Sequence, residues 1–129
     1  MILEAVYSYL AGNESLALAL GADSKDSKIY PNYAAITSRV PYIVYRSANP
    51  GGSYDEVLSE EQVTFVITSD EFCQTARISE ILTSILDLNC GEIASSEHKI
   101  YYCKKIGGSD FMDELGRHCR AVNFIFKFK

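Results

Sequence analysis

The residue types best suited to chemistry are two histidines and four cysteines in a chain of 129 residues. A zinc site would need a histidine to converge with cysteine or carboxylate ligands. His118 and Cys119 are neighbours on a predicted strand, so their side chains point to opposite faces, and His98 and Cys103 also alternate apart. We therefore predict no metal site. A Cys–His nucleophile pair built from residues distant in sequence stays open.

The cysteines are widely spread and contain no C-x-x-C motif; they are Cys73, Cys90, Cys103 and Cys119. The N-terminal segment, Met1-Ile2-Leu3-Glu4, has no basic region and no cleavage-type site, so we expect no secretory signal peptide. Thiols of a cytoplasmic protein stay reduced. We therefore predict free and mostly buried cysteines rather than a disulfide framework.

Two glycine-rich segments superficially resemble phosphate-binding loops, Gly51-Gly52-Ser53 and Gly107-Gly108-Ser109-Asp110. Neither is followed by the Lys-Ser/Thr pair and helix start that phosphate binding uses. The chain also lacks a G-x-S-x-G elbow and a dinucleotide-binding glycine pattern. We predict turn glycines, no cofactor and no enzyme. The alternative is a small enzyme or ligand-binding α+β domain, which would have a concave pocket with convergent polar groups.

The overall charge and composition exclude several other classes of protein. Apolar residues make up 47% of the chain and the formal net charge is -5. A negative balance argues against binding to a phosphate backbone, which needs clustered Lys and Arg. No apolar run approaches the roughly 20 residues that span a bilayer. We expect a single soluble domain over residues 1–129, without membrane contact.

The elements that position these residues follow from hydrophobic periodicity. Leu3, Val6, Tyr7 and Leu10 predict a helix over residues 2–11. A second short helix is predicted after the N-cap Asn13, with a stop at Gly21, and a principal helix over 70–88. Short extended or strand segments are predicted at 29–31, 41–46, 62–68, 98–105 and 117–129, with loops at 47–61 and 106–116. This order predicts an α+β fold, with a mainly antiparallel sheet of about four strands and helices on one face.

The pattern resembles the small tail-completion proteins of long-tailed bacteriophages, also called tail-to-head joining or tail terminator proteins. The segments that carry the resemblance are the helix MILEAVY at 1–7, IYP at 29–31, VPYIVY at 40–45, the strand VTFVI at 63–67, the helix with Ile78, Ile81 and Ile85, and the strand AVNFIF at 121–126. They cover essentially the whole chain. They are hydrophobic patterns rather than catalytic signatures, and the polar segment 22–28 and the stretch 32–39 depart from the family.

The resemblance implies a structural role in the virion. Members form a ring, commonly a hexamer, at the head-proximal end of the tail tube; the ring ends tube assembly and docks to the head-closure or neck protein. DNA passes through the ring as cargo. The implied partners are further copies of the chain, the tail tube protein and the neck protein, and the implied location is the virion tail, with the host cytoplasm during assembly. Another neck or minor tail protein remains an alternative.

Two groups of loop residues are candidates for this work. Apolar residues in polar loops are candidate contacts with other subunits or with the neck, although such residues can also fold back onto their own domain: Tyr54, Val57, Leu58, Phe111, Met112 and Leu115. Carboxylates would repel passing DNA. The candidates for lining the channel are Asp55, Glu56, Glu60 and Glu61.

Overall fold

A computed structural model describes residues 2–23, 25–34, 39–47, 53–54, 59–87, 93–94 and 98–129. The described residues form three helices and six strands. In chain order these are α1 (Ile2–Ala11), α2 (Glu14–Leu20), β1 (Ile29–Pro31), β2 (Tyr42–Ser47), β3 (Ser53–Tyr54), β4 (Ser59–Ser69), α3 (Phe72–Leu86), β5 (Ile100–Met112) and β6 (His118–Phe128).

Five of the strands form one sheet in the order β1-β2-β4-β6-β5, and β3 pairs with the start of β4. Apart from the parallel pair of β1 and β2, the described strand pairs are antiparallel. This confirms the predicted α+β fold. The segment 29–31, predicted to be extended, forms β1, and the two-residue strand β3 lies within the predicted loop 47–61.

The core lies between one face of the sheet and the helices. The central strands contribute alternating buried residues, which are Val63, Phe65 and Ile67 from β4 and Val122, Phe124 and Phe126 from β6. The rings of Phe65 and Phe124 meet edge to face, with centroids 5.7 Å apart. Ile78, Leu82 and Leu86 of α3 are buried in the same cluster. The alternation predicted for β4 and β6 is therefore confirmed.

The capping residues at the ends of α2 and α3 differ in how well they follow from the sequence. Asn13 caps α2, since its side chain accepts a hydrogen bond from the backbone of Leu16 at 3.0 Å, and Gly21 ends α2 with a left-handed φ of 69°. The start of the principal helix is arranged differently. The N-cap of α3 is Glu71, which makes no side-chain capping bond. Instead, the Ser69 hydroxyl accepts a hydrogen bond from the Glu71 backbone at 3.2 Å.

The cysteines are only partly as predicted. Cys103 and Cys119 are buried free thiols, whereas Cys73 is exposed on the first turn of α3. Cys73 is therefore an exception to the prediction of mostly buried cysteines. Cys90 lies outside the described residues.

The largest difference from the sequence prediction is the segment 106–116. It is not a loop: β5 continues to Met112, and only the turn between Met112 and His118 is irregular. Pairing with β6 holds the segment in register, with Asp110 opposite Arg120. Residues 104–112 are all exposed, so no alternation marks this part as a strand. The result is a long β5–β6 hairpin whose turn lies beside the start of α3.

Candidate functional site

The turn of the β5–β6 hairpin is organised by Asp113. Its carboxylate accepts hydrogen bonds from the backbone amides of Leu115 at 3.0 Å and Arg117 at 2.9 Å, and from Arg117 Nε at 2.8 Å. Partial burial opposes ionisation of Asp113, but the hydrogen bonds from Arg117 outweigh it and lower the pKa of Asp113 below its ordinary value. The Asp113 carboxylate therefore holds the backbone of the turn in place and forms an ion pair with Arg117.

A second ion pair joins the two strands of the hairpin, and its arginine also contacts α3. The Arg120 guanidinium donates to both carboxylate oxygens of Asp110, at 2.6 and 3.0 Å, and these hydrogen bonds lower the pKa of Asp110. The same guanidinium lies 5.6 Å from the ring centroid of Phe72, the first residue of α3. Thr75 of α3 also donates a hydrogen bond to the backbone carbonyl of His118 at 3.2 Å. The base of the turn is thus fixed to the body of the protein.

The end of this supported hairpin carries three large exposed apolar side chains. Phe111, Met112 and Leu115 are 45%, 59% and 64% exposed. We call these three residues the apolar end. Large exposed apolar side chains on a supported hairpin make the apolar end a candidate contact surface.

Four candidates in the first long loop, Asp55, Glu56, Val57 and Leu58, fall outside the described residues, and so does the side chain of Tyr54. The backbone of Tyr54 belongs to β3 and pairs with Ser59.

The two remaining acidic candidates lie on β4. Glu60 is opposite Lys127 of β6, with its carboxylate 4.0 Å from Lys127 Nζ. Glu61 is opposite Phe126. Because successive strand residues point to opposite faces, Glu60 and Glu61 lie on different faces of the sheet. They therefore do not share one surface.

The reactive side chains of the described residues are kept apart. No group of three or more His, Cys, Asp or Glu side chains in this part of the chain could hold a metal ion. The ring of His98 lies against Phe128 and that of His118 against Phe72. Burial, together with the nearby charge of Asp87, raises the pKa of Cys103 to about 12. This thiol is protonated at neutral pH and is a poor nucleophile.

A second surface was missed by sequence reasoning, a groove of about 620 Å³ between α2 and α3. Its apolar lining is Leu18, Ala19, Ile78 and Ile81, and its polar lining is Ser15, Gln74, Arg77 and Glu80. Leu18 is 83% exposed. We call this surface the α2–α3 groove. The available signal was Leu18 itself, an apolar residue off the buried Leu16 and Leu20 stripe of α2.

Among the described helices, none combines the length and the apolar character needed to cross a membrane.

Among comparisons with known proteins, only the comparison of structures gives a match. No family model matches the chain, and no curated protein matches its sequence. Among solved structures, the chain is similar to a chain in the virion of a native gene transfer agent particle, with a TM-score of 0.71 and 11% sequence identity. The match covers 95% of this chain and 90% of that chain. At this identity, the likeness shows that the two chains share a fold.

Proposed function

We propose that the chain is a structural component of a phage-like virion, and more specifically a tail-completion protein. In this role it forms a ring, a hexamer in the virion, at the head-proximal end of the tail tube, ends tube assembly and docks the tail to the neck. The observation that carries the proposal is the fold shared, over nearly the full length of both chains, with a component of a gene transfer agent virion. The sequence resemblance to tail-completion proteins supports the narrower role.

The distribution of exposed apolar surface supports an assembly role. The apolar end is held rigidly by the Asp113 turn, and its three side chains have no place in the core. A projecting, supported apolar surface gains free energy when another protein covers it. The natural partners are a second copy, the tail tube protein and the neck protein. No cofactor is part of this proposal.

The proposed passage of DNA gives the carboxylates a role. Carboxylates facing the channel would keep phosphates from adhering to its wall. Of the two described candidates Glu60 is the more accessible, because one carboxylate oxygen of Glu61 is buried. Asp55 and Glu56 belong to the same proposal.

Deletion of the gene from the element that encodes it tests the proposed role. We expect full capsids and separate tails by electron microscopy, with tails of abnormal length because tube growth is no longer ended. Expression of the intact chain in trans should restore joined particles. Normal infectious or transducing particles after deletion would remove the assignment.

The shared fold with a virion component also favours a second candidate, another neck or minor tail protein. Labelling of the chain in intact particles separates the two. A signal at the head–tail junction fits tail completion, whereas a signal elsewhere on the tail fits the second candidate.

A further inference from the structure

The molecule presents two separate exposed apolar surfaces, the apolar end of the hairpin and the α2–α3 groove. The first is carried by the end of β5 and the following turn. Because Phe111 and Met112 are successive strand residues, they extend from opposite faces of the hairpin end. The second is concave, and its volume of about 620 Å³ lies within the roughly 300–1,000 Å³ of typical binding pockets. Exposed apolar side chains at the hairpin end and a partly apolar recess on the same chain are complementary in chemical character.

The charges beside the two surfaces are also complementary. Glu114 is exposed on the turn, between Met112 and Leu115, and Arg77 is exposed at the rim of the groove. Among the described residues, neither has an ion-pair partner. The other charge at the rim, Glu80, acts in part on Arg120 of its own chain: hydrogen bonds to Asp110 raise the pKa of that guanidinium, and the charge of Glu80 adds a smaller effect. Arg77 is therefore the charge that the groove offers to an incoming acidic group.

We propose that the apolar end of one copy docks into the α2–α3 groove of a second copy, with Glu114 of the first beside Arg77 of the second. This inference rests on the proposed function in one respect, because it names the contact through which the ring would form. The two surfaces differ, so the contact is heterologous: every copy gives its hairpin to one neighbour and its groove to the other. Contacts of this kind generate rings when the rotation closes.

Pairing through the free edge of β5 is a weaker route to the same assembly. This edge is interrupted by two irregularities in register, between Ile100 and Tyr102 and between Lys105 and Gly107. It also carries Lys104 and Lys105, both exposed. Bulges and lysines on an edge strand discourage strand addition. The hairpin end, which lies beyond these features, is the part of β5 left open to a partner.

Two variants with opposite defects test the contact. Met112→Asp damages the apolar end and keeps the groove; Leu18→Asp damages the groove and keeps the apolar end. We expect the wild-type protein to associate as its concentration rises toward the millimolar range in sedimentation equilibrium, and each variant alone to lose affinity roughly tenfold or more. An equimolar mixture should form a heterodimer and nothing larger, because it contains one intact end and one intact groove. Tyr33→Asp, at a residue 77% exposed, is the matched control and should associate like the wild type.

A charge exchange gives a second readout that does not depend on the apolar substitutions. Glu114→Arg and Arg77→Glu should each weaken association by about two- to fivefold, and the double variant should recover most of the loss. A wild-type protein that remains monomeric throughout, a mixture that stays monomeric, or an equal loss in Tyr33→Asp would overturn the inference.

The outcome is separable from that of the proposed function. Self-association with normal particles after gene deletion would keep the contact and remove the virion role, whereas defective particles with a monomeric protein would do the reverse.

Discussion

The two ends of the β5–β6 hairpin are built from the same strand pair but meet different surroundings. Toward the end of the chain, Phe124 and Phe126 are fully buried beneath the helices. Toward the turn, residues 104–112 of β5 are exposed on both faces, and the large side chains at the tip are apolar. The comparison shows that one end supplies free energy of folding, whereas the other leaves large apolar side chains exposed, which is the surface that the proposed assembly contact would use.

Polar contacts stabilise the exposed part of the hairpin. A bare two-stranded hairpin is marginally stable in water. Here the Asp113 turn and the Arg120–Asp110 pair hold the exposed part of the hairpin in place, and contacts from Arg120 and His118 to Phe72 join it to α3. Substitutions at the buried end should therefore change stability, whereas those at the tip should change association.

The largest expected effect is at the buried end. Phe124→Ala should lower the free energy of unfolding by about 3–5 kcal/mol, because it leaves a cavity against Phe65 and Phe126. Urea denaturation monitored by circular dichroism measures this. A loss below about 1 kcal/mol would show that Phe124 is not a central part of the core.

Gly108→Ala tests the close approach of β5 and β6 near the middle of the hairpin. A Cβ at Gly108 would lie 2.2 Å from the backbone carbonyl oxygen of Ala121, so the strands must separate. We expect a loss of about 1–3 kcal/mol in the same denaturation experiment. Ser109→Ala, at the neighbouring position, should be nearly neutral, and equal effects of the two variants would remove the steric explanation.

Asp113→Asn tests the turn. We expect a loss of roughly 1 kcal/mol at pH 7, because the ionised carboxylate and its bonds to Arg117 are removed. The folded-state pKa of Asp113 is depressed, so its stabilisation is present above the unfolded pKa and is lost as pH falls through the lower folded pKa. The difference between wild type and variant should therefore shrink below about pH 4. A difference that grows at low pH would contradict this sign.

The smallest effect on stability is expected at the tip. Phe111→Ser, Met112→Ser and Leu115→Ser should each stay within about 0.5 kcal/mol of the wild type, since these side chains are 45–64% exposed and lie outside the buried core. Thermal denaturation measures this. A loss above 1 kcal/mol would place the side chain in the fold rather than at a free surface.

The contrast also explains what the sequence could predict. Val63, Phe65 and Ile67 alternate because one face of β4 is buried, so this strand and the α+β fold were predictable. The outer half of β5 was taken for a loop because a strand exposed on both faces has no burial pattern; its register comes from β6. Phe111, Met112 and Leu115 were nevertheless found as apolar residues in a polar segment. The α2–α3 groove was not, since it exists only when two helices lie side by side.

The most direct measurement joins folding and assembly in one variant. The triple substitution Phe111→Ser, Met112→Ser and Leu115→Ser should be supplied in trans to particles that lack the gene, after its native-like stability has been confirmed. We expect electron microscopy to show capsids and tails that remain separate, because a folded protein without the apolar end makes no assembly contact. Joined particles in wild-type numbers would contradict the role given to the hairpin.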